Sequence, residues 1–224
     1  MAISKIGTNS IADAAVTTAD IGDGQITAGK LNSTLDLSSK TITLPAANSP
    51  GLKLVTSGTI DSVSSLNVDG CFTSDYLNYK MHFNFNLADN ALANLDFGMY
   101  LRAGGSSKTD SNYQYSMGYK NLGVNSAFNH ESTTGAGFIK LIDNIDGGGT
   151  HAVGWVDVYA PASTDGSGKT FTLSELWTSD DGNNKIMWSQ GVYTPDVAVD
   201  GFQLSTFNGG GTFDGSYQIY GYAL

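Results

Sequence analysis

Two glutamates, Glu131 and Glu175, stand among 21 acidic residues, so the other nineteen are aspartates. A glycan-cleaving enzyme needs two carboxylates flanking a sugar bond, commonly about 5–9.5 Å apart. Most aspartates here sit in Gly, Ser and Asn contexts that read as turns, such as Asp180-Asp181-Gly182-Asn183. Nucleophilic catalysis has little more to build on. Cys71, the single cysteine, precedes Phe72 in a strand-like context and reads as a buried, unreactive thiol. His82, His130 and His151 are far apart in sequence and read as surface-facing. The expectation is a non-enzymatic chain with no catalytic residues and no cofactor.

Two segments gather oxygen ligands of the kind a hard cation such as Ca²⁺ requires. They are Asp143-Asn144-Ile145-Asp146-Gly147 and Ser179-Asp180-Asp181-Gly182-Asn183-Asn184. Neither matches the twelve-residue EF-hand loop, so acidic turns without a metal are the first reading, and calcium on Asp143, Asp146, Asp180 and Asp181 is the alternative. Gly-rich stretches at 147–149 and 209–211 lack the Gly-Lys-Ser/Thr ending of a phosphate-binding loop and read as turns. For binding, Tyr113, Tyr115, Tyr119 and Trp188 are the candidate ligand contacts. An aromatic ring offers flat apolar area with a polar tip, which suits sugars and protein epitopes; core packing is the competing reading for each.

Strands must position these residues. Tyr79, Met81, Phe83, Phe85 and Leu87 alternate with Lys80, His82, Asn84 and Asn86, the pattern of a strand with one buried face. Leu95, Phe97, Met99 and Leu101 do the same against Asp96, Tyr100 and Arg102, and the two strands are expected to be sheet neighbours. Further strands are expected at 113–119, 137–142, 151–159, 170–177, 185–193, 197–206 and 214–222, separated by Gly-rich turns. About ten strands with no convincing helix predict an all-β fold, a jelly-roll-like β-sandwich, with a closed barrel as the runner-up.

The first fifty residues follow another rule. Ile6, Ile11, Val16, Ile21, Ile26 and Leu31 fall at intervals of five, a period that belongs to neither a helix nor a strand. Residues 13–21 also align with 23–31 at a period of ten, and short repeats usually mean stacked structure. One thin apolar row cannot offset the ordering entropy of its own chain, at roughly 1–2 kcal/mol per residue, so identical chains are expected to wrap together, with threefold symmetry the first choice. Pro45 through Pro50 reads as a linker. The expected division is residues 1–50, an extended anchor or trimerising stalk, and residues 51–224, the sandwich.

Bulk composition excludes several classes. Eleven basic against 21 acidic residues leave a formal net charge of −10, which makes attraction to nucleic-acid phosphates unfavourable. No apolar run is long enough to span a membrane, and the N-terminus lacks the apolar core of a signal peptide. One cysteine excludes a disulfide within a single chain, so folding in a reducing cytosol is expected.

The leader Ile11-Ala12-Asp13-Ala14-Ala15-Val16-Thr17-Thr18-Ala19-Asp20-Ile21 resembles the low-complexity repeats that open many phage tail-fibre proteins. Phe72 through Tyr79, Leu95 through Gly105, and the closing Ser216-Tyr217-Gln218-Ile219-Tyr220-Gly221-Tyr222 look like a recurrent β-sandwich domain of phage structural proteins. That family includes tail fibres, head (capsid) fibres and other virion components. The resemblance implies a virion protein assembled in the host cytoplasm, a homotrimer held to other virion proteins through its N-terminal segment and serving host attachment through a surface glycan or receptor. Two departures point to a short fibre, an adaptor or a capsid-decorating spike rather than a long tail fibre. Lys30 stands where the usual repeats put Lys, but Asp20 occupies the equivalent place one repeat earlier, and 224 residues leave no room for a long shaft. A capsid-decorating cement protein is the nearest alternative; a carbohydrate-binding lectin module or a glycan depolymerase is the alternative of another class.

Overall fold

A computed structural model describes residues 51–88, 95–122, 127–145, 150–164, 170–180, 183–207 and 211–223. The proposed stalk, with Ile6, Ile11, Val16, Ile21, Ile26 and Leu31, lies outside them, as do Asp146 and Asp181. The described residues contain thirteen strands: β1 (Gly51–Val63), β2 (Ser65–Val68), β3 (Asn78–Ala88), β4 (Leu95–Ala103), β5 (Ser106–Ser107), β6 (Tyr113–Asn121), β7 (Asn129–Ala136), β8 (Ile139–Ile145), β9 (Thr150–Tyr159), β10 (Thr170–Asp180), β11 (Asn183–Tyr193), β12 (Gly201–Phe207) and β13 (Thr212–Ala223). No helix among the described residues is long and apolar enough to cross a membrane.

Every pairing among the described residues is antiparallel. Eight strands form a large sheet in the order β1-β13-β3-β9-β10-β11-β6-β7. Five form a small sheet in the order β2-β12-β4-β5, with β8 also paired to β4. From β2 to β12 the chain passes repeatedly from one sheet to the other. This is the wrapping of a jelly roll, with the three-stranded meander β9-β10-β11 running through the middle of the large sheet.

The alternation in β3 is realised: Tyr79, Met81, Phe83, Phe85 and Leu87 are buried while His82, Asn84 and Asn86 are exposed. β3 and β4 are not sheet neighbours, contrary to the reading of their sequences. They lie in different sheets, face to face, with the rings of Phe85 and Phe97 4.9 Å apart and Phe97 5.1 Å from Phe213. Each strand carries a continuous apolar face, and two such faces are removed from water together by stacking sheets rather than by lying side by side.

β4 is also buried on the side where polar residues were expected to meet solvent. The Phe138 ring lies against Gly98, where a Cβ would come within 2.7 Å of it, and stacks on Phe207 at 3.9 Å. Arg102 is buried with its guanidinium held by both carboxylate oxygens of Asp69, at 2.7 and 3.1 Å, and it donates to Ser107 Oγ at 2.7 Å. Those charge-assisted bonds pin the loop after β2 onto the β4–β5 hairpin.

Candidate functional site

Strand β6 carries three of the four aromatic residues proposed as ligand contacts, and it turns them inward. Tyr113 is fully buried; its hydroxyl accepts from the Leu101 amide at 3.0 Å and donates to the Lys108 carbonyl at 2.9 Å. Tyr115 is buried and donates to Glu131 at 2.8 Å, and Tyr119 packs against the core. Burial pushes the hydroxyls of Tyr113 and Tyr115 to higher pKa. Tyr113 ties the two sheets together, and Tyr113 and Tyr115 are buried away from any ligand, a correction that follows from the period of two: odd positions of β6 face the core, whereas Gln114, Ser116 and Gly118 face out.

Asp143, named as an alternative cation ligand, is ion-paired with a lysine. Lys140 Nζ lies 2.9 Å from Asp143, 3.0 Å from Glu131 and 3.2 Å from Asp96, so one ammonium gathers three carboxylates. Burial works against the Lys140 charge, but the hydrogen bonds to Asp143 and Glu131 outweigh it and raise the pKa. Asp180 ends β10 opposite Asn183 in register. Among the described residues, no group of three or more His, Cys, Asp and Glu side chains is placed to hold a metal ion.

Cys71 lies in the loop between β2 and β3 rather than in a strand, and it is buried. Burial pushes its thiol up to about 12, so the nucleophilic thiolate is absent at neutral pH. The histidines fall on three strands. His82 edges against Tyr220 on the outside of β3, His130 on β7 hydrogen-bonds Ser116 Oγ at 2.9 Å, and His151 on β9 hydrogen-bonds Asn86 at 2.8 Å.

The outer face of the large sheet is where the remaining candidate, Trp188, sits, and it has company. Trp155 on β9, Trp177 on β10 and Trp188 on β11 are all only partly buried, and they are the chain's three tryptophans. Trp155 and Trp188 both face Glu175 of β10 in register, forming a row across three strands. Lys80 Nζ stands 3.8 Å over the Trp155 ring and pairs with Asp157 at 2.9 Å; Tyr222 also donates to Asp157, at 2.8 Å. Trp188 stacks on Phe128 at 4.7 Å, with the planes 17° apart. Gly118 makes that stack possible, because a Cβ there would lie 2.2 Å from the Phe128 ring. The parity of β9 contained the signal for Trp155: Val156 and Val158 are core residues, so Trp155 must face out.

Beside the Trp188–Phe128 stack runs a trough of about 540 Å³ across β11, β6 and β7, lined by Gln114, Ser116, Ser132, Thr134, Gln190 and Val192. A smaller one, about 380 Å³, crosses β13, β3 and β9 beside His82, Asn84 and Gln218. The neutral hydroxyls and amides of the larger trough both donate and accept hydrogen bonds. No family model matches this chain, and comparisons with curated proteins and with solved structures find no match either.

Proposed function

We propose that this chain is a non-enzymatic structural protein of a bacteriophage particle: a short homotrimeric fibre or spike, on tail or capsid, assembled in the host cytoplasm. Residues 1–50 gather three copies and join them to other virion proteins, and the sandwich projects outward to meet a host-surface glycan or receptor. The observation that carries this reading is the apolar row at every fifth residue from Ile6 to Leu31, placed ahead of a sandwich whose core is self-contained between Ile60 and Ile219. A row of that period needs partner chains, whereas the sandwich does not. The outer face supports the adhesive half of the reading, since its aromatic and neutral polar side chains give each copy a weak site that threefold symmetry would multiply through effective concentration. The two glutamates support a non-catalytic reading: Glu131 is bonded to Tyr115 and Lys140, and Glu175 sits between two tryptophans on an open sheet face.

Light scattering on the full chain and on a chain beginning at Gly51 tests the assembly. The full chain is expected at about three times its 23.5 kDa mass, and the shortened chain at monomer mass. A monomeric full chain would sink the self-trimerising stalk.

A further inference from the structure

The outward positions of three adjacent strands form a grid of three rows. Trp188, Gly118 and His130 make the first row, Gln190, Ser116 and Ser132 the second, and Val192, Gln114 and Thr134 the third, each aligned by strand register. Strands lie about 4.8 Å apart and rows about 7 Å apart, so the second and third rows form a floor about 10 Å wide. The first row is raised. Gly118 lets the Phe128 ring lie over the sheet and against Trp188, while Phe128 itself remains 48% exposed.

The floor has a definite chemistry. Gln114, Ser116, Ser132, Thr134 and Gln190 are exposed, and none carries a charge. Hydroxyls and primary amides both donate and accept, which matches the hydroxyls of a sugar ring; the flat apolar faces of the same ring match an aromatic wall. Phosphate, sulfate or a carboxylated sugar would call for Arg or Lys in the lining, and a docking peptide for apolar side-chain pockets. The trough lies in the size range of small-ligand sites.

We infer that the trough across β11, β6 and β7 is a binding site for a neutral oligosaccharide, with Gln190, Ser116 and Ser132 as its central floor and the Phe128–Trp188 stack as its wall. The inference rests on the adhesive part of the proposed function and names its ligand class and its residues.

The test uses the full chain and hexasaccharides of glucose, mannose, galactose and N-acetylglucosamine, with galacturonate hexamer as the acidic probe. Binding to immobilised sugar and the shift in tryptophan emission are read together. At least one neutral hexasaccharide is expected to bind and to shift the emission. Gln190→Ala should weaken that binding at least about tenfold, the loss of a buried hydrogen bond or more. Ser132→Asp, which puts a charge on the floor at an exposed position, should abolish it. His82→Ala, beside the other trough, should leave it unchanged, and circular dichroism should show all three variants folded. Binding of no neutral sugar, binding of galacturonate alone, or equal binding by Gln190→Ala and Ser132→Asp would each overturn the inference. The mass of the same sample in solution separates the two readings: a trimer that binds no neutral sugar defeats this site and leaves the fibre, whereas a monomer that binds defeats the trimer and leaves the site.

Discussion

The layer between the sheets and the outer face of the large sheet are built from the same strands, yet they use aromatic residues in opposite ways. Phe83, Phe85, Phe97, Phe202 and Phe213 interlock between the sheets, with neighbouring rings 4.9 to 6.2 Å apart. The inward tyrosines Tyr79 and Tyr113 each spend their hydroxyl on a backbone partner, Tyr79 on the Thr73 carbonyl and Tyr113 on the Lys108 carbonyl. All three tryptophans are on the other side. A phenyl ring can be enclosed completely without leaving a polar atom stranded, whereas an indole N–H needs a partner and finds one most easily at a wet surface. The inner layer therefore holds the fold, and the outer face is left with large rings that contribute less to stability and remain available to a ligand.

The strongest way to break this comparison is Phe97→Ala, which removes the ring joining Phe85 and Phe213 across the sheets. It should cost about 3–5 kcal/mol in urea unfolding; a loss below about 1 kcal/mol would mean the core is not organised around it. Next is Lys140→Met, which leaves Asp96, Glu131 and Asp143 facing one another without their cation. A loss of about 3 kcal/mol is expected, at the low end for breaking a buried pair because Glu131 is partly open to solvent.

A matched pair of glycine changes sharpens the contrast between the faces. Gly154→Ala would put a Cβ 2.2 Å from the Glu175 carbonyl in the sheet, and should cost about 1–3 kcal/mol. Gly118→Ala meets only the far end of the exposed Phe128 ring, which can swing away. It should cost under about 0.5 kcal/mol while changing tryptophan emission, since the ring it displaces stacks on Trp188. Trp188→Ala itself should cost about 1 kcal/mol, the scale of one aromatic pair near the surface. Equal losses from the two glycine variants would erase the distinction between the faces.

The smallest effect is pH-dependent. The hydrogen bond from Arg102, followed by its charge, holds the Asp69 carboxyl below its ordinary value of 3.8. A depressed folded-state pKa gives stability that is present above the unfolded value and is lost as pH falls through the folded one. The difference in denaturation midpoint between the native chain and Asp69→Asn should therefore hold steady at neutral pH and close as pH falls below the ordinary value of 3.8 and through the lowered folded-state one. A difference that grew with acid would reverse the assignment.

Much of the sandwich was legible before any coordinates. The alternation from Tyr79 to Leu87 names its strand and its buried face, and the expected strands from 113 onward coincide with observed ones within a few residues, except that β12 begins at Gly201 rather than 197. β1 and β7 were missed because neither sustains an apolar alternation: β1 has only Leu52-Lys53-Leu54, and Asn129-His130-Glu131-Ser132-Thr133-Thr134 has none. They are edge strands: β7 is specified by hydrogen bonds to β6, and β1 by hydrogen bonds to β13 together with burial of Ile60 near its end. The candidate site was legible only in residue type. Trp188 was picked out, but Tyr113 and Tyr115 were placed on the wrong side of their strand, and Gln190, Ser116 and Ser132 carry no signal until register aligns them.

The sequence alone determined the strand period, the turn positions, the acidic charge and the five-residue row of the leader, because each depends on neighbours along the chain. Only the tertiary structure decided that β3 faces β4 instead of pairing with it, that Lys140 gathers Asp96, Glu131 and Asp143, and that the tryptophans share one outer face. Those outcomes depend on which strands become neighbours and in what register. In an antiparallel sheet that choice is made jointly by all the apolar faces seeking burial, and a shift of one residue would exchange the core for the surface.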